Sequence, residues 1–349
     1  MATIDYEFEG SPRQLDVNAG DITKPMVVLL HGTNGEKRDM TNPTYYGFNY
    51  DFTGSFPPGR NIGWRAYPGV GIWSFKLDEL KDVTSWQDVL NQNNFGTVVY
   101  SQLDAGGLLA RPVRELATVM TVLQKHFPDS SFVLLAHSRG GLLVRKFLKD
   151  FPGLTTRIVK VITLHAPHTG SELANASQAV NGAINDLRGV FGNISAIDDA
   201  LRMVTSSINT PAFQEFTVGS AFLTDLENGE VALANIEYYS FGGTNVTFTR
   251  LLAWVYNAAS AIPQWNWPPF FHRIVTIELP VISPVLDSLP NLTPEITSGQ
   301  GDILTADART RIPFGIHNTK HISHAEALWD PGLQAHVLSI LGATPGFWS

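Results

Sequence analysis

The stretch that decides the fold is SFVLLAHSRGGLLVRKFLKDF, residues 131–151. It begins with an uninterrupted apolar run at 132–136, typical of a buried parallel strand, and continues with the apolar spacing of a helix up to a Pro-Gly pair. Between the two lies Ser138, with Ala136 two residues before it and Gly140 two residues after it. A sharp strand–turn–helix elbow needs small residues at these two positions and exposes the residue at its tip. Without its flanking elements this string would be an ordinary turn; with them it predicts an exposed, nucleophilic serine.

Four further apolar, β-branched runs of the same kind predict buried strands. They are Met26–Leu30, 97–100, Ile158–Leu164 and 236–241. Helical patterns lie between some of these runs, and one of them opens at Pro112. This alternation predicts an α/β fold with a mostly parallel sheet that is covered by helices on both faces. A hairpin formed by residues 3–8 and 14–17 is a further expectation.

A second glycine-containing turn follows the first of these runs, in VLLHGTNG at residues 28–35. If Ser138 attacks a carbonyl carbon, the oxyanion that develops needs main-chain N–H donors beside it. The residue after the nucleophile can supply one donor, and the glycine-containing turn can supply the other. We therefore expect the main-chain N–H groups of Thr33 and Arg139 to form an oxyanion hole. Without the serine elbow, this segment would be interpreted as an ordinary turn at the end of a strand.

The composition excludes several classes of protein and of site. Of the 349 residues, 44% are hydrophobic and 16% charged, so the chain can bury a large core and is not expected to be disordered. The net charge of −8 disfavours nucleic-acid binding, because a negative surface repels phosphates. Since there is no cysteine, disulfides, thiolate metal sites, iron–sulfur clusters and cysteine nucleophiles are excluded.

Two long segments do not follow the strand–helix alternation, within what we expect to be a single domain over residues 1–349. Residues 171–230 contain polar helical patterns between two predicted strands, and we expect an inserted helical cap there. Residues 245–301 are rich in Pro, Trp and Phe and form a second insertion. Its uncharged part, 251–271, contains three prolines, which argues against a transmembrane segment. The first residues have no apolar signal-peptide core, so a cytoplasmic location is expected unless the sequence is a processed form of a secreted protein.

The motifs HGTNG, at 31–35, and AHSRGG, at 136–141, resemble those of the α/β-hydrolase superfamily. Within it they are similar to bacterial lipases and esterases, some of which have alanine in place of the first glycine of the elbow. The resemblance implies the α/β-hydrolase fold and a catalytic triad in the chain order Ser…Asp…His. It also implies that no cofactor and no metal ion is needed.

The resemblance also implies the acid and the base of this triad. Asp302, in GDIL, matches the acid turn of the family, and His324 matches the histidine that precedes the final helix. The interval between them leaves room for one strand, around residues 312–317. Asp307 is an alternative acid and His321 an alternative base. His321-x-x-His324 is also half of a metal-site pattern, but no partner motif stands out, so no metal is expected.

Three other histidines lie near these motifs and are expected to be structural. His165 and His168, in HAPHTGSELA, belong to a segment similar to P-H-x-G-S-x-L-A of such lipases. We expect both to support the elbow or the base of the cap by hydrogen bonds. His137 is expected to pack behind the elbow.

Two aromatic-rich segments are expected beyond the carboxyl ends of the strands, where open α/β sheets bind ligands. Their aromatic residues are Tyr45, Tyr46, Phe48, Tyr50, Phe52, Phe56, Trp64, Tyr67, Trp73, Trp254, Trp265, Trp267, Phe270 and Phe271. Around Ser138 they would favour an apolar acyl or alcohol group. Alternatively, they attach long loops to the body of the protein. The sequence supports both interpretations equally.

Taken together, these patterns predict a serine hydrolase that cleaves carboxylic esters through an acyl-enzyme. The expected substrate is a small-molecule ester or a lipid, with transient contact to a lipid surface. An amidase, a thioesterase or a lipid-anchor deacylase would use the same triad. A non-catalytic binding module is the remaining alternative, since a fold alone does not determine function. All three triad candidates occur in the family's order, which argues against the binding module.

Overall fold

The computed structural model describes residues 2–43, 62–66, 73–77, 83–174, 210–246, 293–297 and 299–342. Most of the cap expected at 171–230 and of the insertion expected at 245–301 lies outside these residues. The side chains of both aromatic segments also lie outside them.

The described strands form one eight-stranded sheet and a separate hairpin. In chain order they are β1 (Ala2–Phe8), β2 (Ser11–Asn18), β3 (Met26–Leu30), β4 (Ile62–Ala66), β5 (Trp73–Leu77), β6 (Gly96–Val99), β7 (Phe132–His137), β8 (Ile158–Leu164), β9 (Glu237–Gly243) and β10 (Ile316–Lys320). The strand order in the large sheet is β1-β2-β6-β3-β7-β8-β9-β10, and β4 and β5 form the hairpin. Only the pairings of β1 with β2 and of β2 with β6 are antiparallel in this sheet. The predicted mostly parallel sheet is therefore confirmed, and the expected N-terminal hairpin forms its edge.

Seven α-helices belong to the described residues. They are α1 (Arg38–Thr41), α2 (Trp86–Gln92), α3 (Ala110–His126), α4 (Arg139–Asp150), α5 (Pro211–Glu215), α6 (Ala221–Glu227) and α7 (Pro331–Gly342). The helix predicted to open at Pro112 begins at Ala110 instead, because the first turn of a helix tolerates a residue without an N–H. None of these helices is long and apolar enough to cross a bilayer.

The two faces of the sheet bury two separate apolar clusters, because successive side chains of a strand point to opposite faces. In β3, Val28 and Leu30 pack in the cluster beneath α3 and α4. Val27 and Leu29 pack in the cluster beneath α2 and α7. Helices therefore cover both faces, as the alternation of strands and helices predicts.

The strand that precedes the C-terminal helix starts later than predicted. A strand is expected around 312–317, but β10 spans Ile316–Lys320. Pro313 has no N–H to donate to a neighbouring strand, and Phe314 turns the chain with a φ of 65°. Pairing with β9 therefore begins only after this turn, in register Ile316 to Tyr239.

Candidate active site

Ser138 occupies the turn between β7 and α4. Its φ of 55° and ψ of −129° lie outside the regions that residues other than glycine usually adopt, so the backbone is strained here. The main-chain N–H donates to Leu164 O at 2.8 Å, and the carbonyl accepts from Gly141 N at 2.9 Å. These bonds hold the turn, and they leave the half-buried side chain at the carboxyl end of β7.

Glycines around Ser138 make room for this turn. A Cβ at Gly140 would lie 2.9 Å from His31 O. A Cβ at Gly32 would lie 2.8 Å from Ser138 Cβ and 3.3 Å from Ser138 Oγ. Because non-bonded carbon atoms pack at about 3.5–4.0 Å, neither position accepts a larger residue without a shift. Gly32 therefore keeps open the space beside the serine side chain.

Asp302 and His324 form a buried pair at the same edge of the sheet. Asp302 Oδ2 lies 2.9 Å from His324 Nδ1, and His324 N donates to Asp302 O at 3.0 Å. Asp302 Oδ1 accepts from Leu304 N at 3.0 Å and from Thr305 N at 2.7 Å. Burial alone would raise the pKa of Asp302, but the interaction with His324 and the hydrogen bonds from His165 and His324 outweigh it and hold this pKa well below its usual range. Asp302 is therefore an ionised acceptor.

The His324 imidazole lies against the residue that precedes the elbow serine. Its ring centroid is 4.9 Å from that of His137, and His137 Nε2 donates to His324 O at 3.0 Å. Burial lowers the pKa of His137 well below its usual value, so this ring is neutral. His324 Nε2 is buried without a hydrogen-bond partner among the described residues. The structure thus brings His324 to the elbow with Nε2 unengaged, but it does not join Nε2 to Ser138 Oγ by a hydrogen bond.

The two expected oxyanion donors lie on the two chain segments that flank Ser138. Thr33 follows Gly32 in the turn after β3, and Arg139 is the first residue of α4. Neither main-chain N–H has an acceptor in the described part of the chain. The Arg139 guanidinium donates to Ala105 O at 2.6 Å, and the same oxygen accepts from Asn34 N at 3.1 Å. The Arg139 side chain therefore supports the loop that holds the turn after β3.

His31 attaches the start of this turn to the same loop. Its Nε2 accepts from Gln102 N at 2.9 Å, and the Gln102 side chain donates to His31 O at 3.0 Å. Burial lowers the pKa of His31 to about 4, so the ring stays neutral and able to accept. The role of His31 in the structure is to position the turn.

The alternative acid and base have other partners. Asp307 Oδ1 accepts from His317 Nε2 at 3.1 Å, and His317 Nδ1 accepts from Ser240 Oγ at 3.0 Å. This second Ser–His–Asp chain links β9 to β10, but Ser240 has no exposed surface. The exposed His321 contacts Thr244 Oγ1 at 3.2 Å. Neither Asp307 nor His321 is hydrogen-bonded to the pair that lies beside the elbow.

Comparison with solved structures identifies the architecture. The structure matches the mature form of lipase BlEst2 from Bacillus licheniformis with a TM-score of 0.52 and 14% identity, over 94% of this chain and 97% of that chain. The propeptide form of that lipase gives a TM-score of 0.51 and 13% identity, over 94% of this chain and 53% of that longer chain. This chain has the α/β-hydrolase fold. The metagenomic carboxyl esterase MGS0156 matches with a TM-score of 0.43 and 14% identity, over 88% of this chain and 66% of that one. No family model and no curated protein matches the sequence.

In this α/β-hydrolase fold, one contact of the acid was missed by the reasoning from sequence. His165 Nδ1 lies 2.7 Å from Asp302 Oδ2, closer than His324 Nδ1 does. His165 follows β8, the neighbour of β7 in the sheet. Carboxyl ends of adjacent parallel strands meet at one edge, and this rule could have placed His165 beside Ser138. By contrast, His168 hydrogen-bonds Thr163 Oγ1 at 2.9 Å, away from the acid.

Among the described residues, His165, Asp302 and His324 are the set whose ligand-type atoms all lie within 4.8 Å of one another. Both Nδ1 atoms already face Asp302 Oδ2 at hydrogen-bond distances of 2.7 and 2.9 Å. An ion between these atoms would have to break both hydrogen bonds. The geometry therefore fits a hydrogen-bonded array better than a metal centre.

Proposed function

We propose that this protein is a serine hydrolase that cleaves carboxylic esters through an acyl-enzyme. Ser138 is the nucleophile, His324 the general base and Asp302 the acid that orients it. The observation that carries the proposal is the strained elbow serine beside a buried, hydrogen-bonded imidazole–carboxylate pair.

In the first half-reaction, His324 Nε2 takes the Ser138 Oγ proton while Oγ attacks the acyl carbon. His324 then protonates the leaving alcohol, and the acyl group stays on the serine. In the second half-reaction, His324 activates a water molecule, which releases the acid. Asp302 keeps the Nδ1 proton on the imidazole and stabilises the imidazolium, which requires the ionised carboxylate described above. Closure of the Ser138–His324 distance on substrate binding is part of this proposal, since such bonds are often loose without substrate.

The oxyanion of each tetrahedral intermediate would accept from the main-chain N–H groups of Thr33 and Arg139. Both groups lie beside Ser138 on rigidly attached segments, which supports this assignment. One such donor lowers the barrier by about 3–4 kcal/mol in a well-studied case.

The ester preference is part of the proposal, and the match to a protein described as a lipase is consistent with it. An amidase, thioesterase or lipid-anchor deacylase would use the same three residues. The proposal requires no cofactor and no metal ion.

The proposal includes an inserted cap at 171–230 and a second insertion at 245–301, within a single domain. The described ends of the cap support this placement. Ser171 N donates to Phe216 O at 2.7 Å, and Ala212 N donates to Gly106 O at 3.2 Å. Gly106 adjoins Ala105, whose carbonyl accepts from Asn34 N in the turn after β3, and this contact supports a cap whose returning segment lies near the proposed site.

The test combines active-site labelling with ester hydrolysis. A fluorophosphonate should label the protein, and p-nitrophenyl acyl esters should be hydrolysed. Ser138→Ala should abolish both activities with the fold intact. Ser240→Ala is the matched control, because it removes the buried serine of the other Ser–His–Asp chain, and it should keep both. Sustained turnover by the Ser138→Ala variant would refute the nucleophile.

Rates measured from acetyl to palmitoyl esters separate the substrate classes. A preference for long chains indicates a lipase, and a preference for short chains an esterase. A protein that is labelled but inert towards every ester would point to the amide or thioester alternatives. Absence of labelling would favour the binding module.

A further inference from the structure

His165 is a buried histidine to which the proposed reaction gives no role. It has a φ of 55°, in the left-handed region that residues other than glycine adopt uncommonly, although Asn, Asp and His are enriched there. Its main-chain N–H donates to Phe241 O at 2.7 Å, so the backbone is held in this conformation by β9. A large side chain kept at a strained position points to a function for that side chain.

The surroundings of His165 are shaped to hold its ring against the acid. His165 and Asp302 are both fully buried, and Nδ1 lies 2.7 Å from Oδ2. A Cβ at Gly243 would overlap the His165 ring and would lie 2.7 Å from Asp302 Cβ. The missing side chain at Gly243 is therefore what allows this contact.

The hydrogen bonds define the proton positions on both imidazoles. An ionised carboxylate only accepts, so His165 and His324 must each donate from Nδ1 to the same oxygen of Asp302. The Nε2 atoms of both rings have no hydrogen-bond partner among the described residues. At His324 this leaves Nε2 available to exchange a proton with Ser138. At His165 the ring is held through its Nδ1 contact with Asp302.

We propose that His165 is a positioning residue of the triad: its Nδ1–H fixes Asp302 Oδ2 towards His324 and shares the charge of that oxygen between two imidazoles. This inference rests on the proposed function. Its consequence is a carboxylate that is accurately placed but binds the His324 imidazolium less strongly than a carboxylate with one imidazole donor would.

The pH dependence of activity reports this sharing. In the described part of the chain, the titratable groups in contact with the His324 ring are His137 at the end of β7, His165 after β8, and Asp302, and Glu326 lies two residues further along the chain. Burial keeps His137 neutral, and Glu326 accepts from Ser323 N at 2.5 Å rather than from the imidazole. Loss of the His165 donor leaves more charge on Oδ2, so this carboxylate oxygen attracts positive charge beside it more strongly, and the acidic limb of the activity profile is expected to move to higher pH.

The test compares His165→Leu with His165→Asn. The two side chains have nearly the same shape, but only the Asn amide places an N–H donor where Nδ1 lies. Asn also tolerates a positive φ better than Leu does, so urea unfolding of both variants measures the backbone effect, and the pH profile measures the loss of the donor. In the full-length Leu variant, kcat/KM for a p-nitrophenyl ester should fall about tenfold or more. The acidic limb of its pH profile should move up by about 0.5–1 pH unit. The Asn variant should recover both towards wild type. A limb that is unchanged or moves to lower pH, or a loss that Asn does not recover, would overturn the proposal.

A second measurement does not depend on turnover. His317 also donates to a carboxylate, from Nε2 to Asp307, so the proton NMR spectrum must be resolved by the attached nitrogen to separate Nδ1–H from Nε2–H. The wild-type protein should then show two downfield Nδ1–H signals from imidazoles bonded to a carboxylate, and Ser138→Ala should keep both. His165→Leu should lose one. A single such signal in the wild-type protein would refute the shared carboxylate. Two signals in an inactive wild-type protein would support the array and refute the hydrolase function instead.

Discussion

Gly32→Ala tests whether the space beside the elbow serine is needed for the reaction. The added Cβ would lie 2.8 Å from Ser138 Cβ and 3.3 Å from Ser138 Oγ. Since carbon atoms pack at about 3.5–4.0 Å, one of the two residues must move by about 1 Å. A displacement of this size at a reacting atom costs on the order of 100-fold in rate. We expect kcat/KM for a p-nitrophenyl ester to fall about 100-fold, and fluorophosphonate labelling to slow in parallel, because both use the same oxygen.

Stability measurements separate this effect from a general loss of fold. Overpacking costs about 1–3 kcal/mol, so urea unfolding of the Gly32→Ala variant should remain cooperative with a lower midpoint. Gly153→Ala is the matched control, because a Cβ there would meet nothing within 4 Å, and its activity should equal that of the wild type. If folded Gly32→Ala protein keeps activity within about threefold of wild type, the steric argument and the position of the nucleophile are both wrong.

Three further predictions follow from the same contacts. Asp302→Asn should lower kcat by about 10³–10⁴-fold, because an amide no longer enforces the Nδ1–H tautomer of His324; this is measured by steady-state kinetics, and a loss below tenfold would contradict the assignment. Burial would raise the pKa of Asp307, but hydrogen bonds from His317 and Thr319 hold this pKa below its usual value. The Asp307 carboxylate therefore stabilises the fold above its unfolded pKa of about 4. This stabilisation is lost as the pH falls through the lower pKa of the folded protein. Asp307→Asn should therefore lower the free energy of unfolding by about 1–2 kcal/mol at pH 7, with a difference from wild type that shrinks in urea titrations below pH 4. Arg139→Met should lower kcat/KM at least tenfold by releasing the loop at Ala105, and an unchanged value would show that the loop needs no such support.

The parts of the fold that could be predicted are those encoded in neighbouring residues. The runs Met26–Leu30 and Ile158–Leu164 are apolar almost throughout because both faces of these strands are buried. The elbow could also be predicted from neighbouring residues, because it needs small residues two positions before and two positions after Ser138. Where a residue interrupts the pattern, as Pro313 does just before the last strand, the boundary shifts by several residues.

The rest of the candidate site depends on contacts between distant parts of the chain. Asp302 and His324 were assigned from a family resemblance, because nothing in their spacing requires the 2.9 Å contact that the structure shows. The contact of His165 with Asp302 joins residues 137 positions apart and depends on Gly243 leaving room. The catalytic roles, the cap and the use of the aromatic segments stay predictions.

The chain that joins Ser240, His317 and Asp307 shows how a search template for hydrolytic sites can mislead. It contains the three residue types of a catalytic triad, and each side chain lies within hydrogen-bonding distance of the next. Its histidine faces the acid through Nε2, whereas His324 faces Asp302 through Nδ1, and its serine is closed off from any substrate. Among the described residues, a template that matches only residue types and hydrogen-bonding distances would select this buried chain and pass over Ser138, because His324 Nε2 has no hydrogen-bond partner. Ring orientation and solvent access of the hydroxyl are the criteria that reject the buried chain.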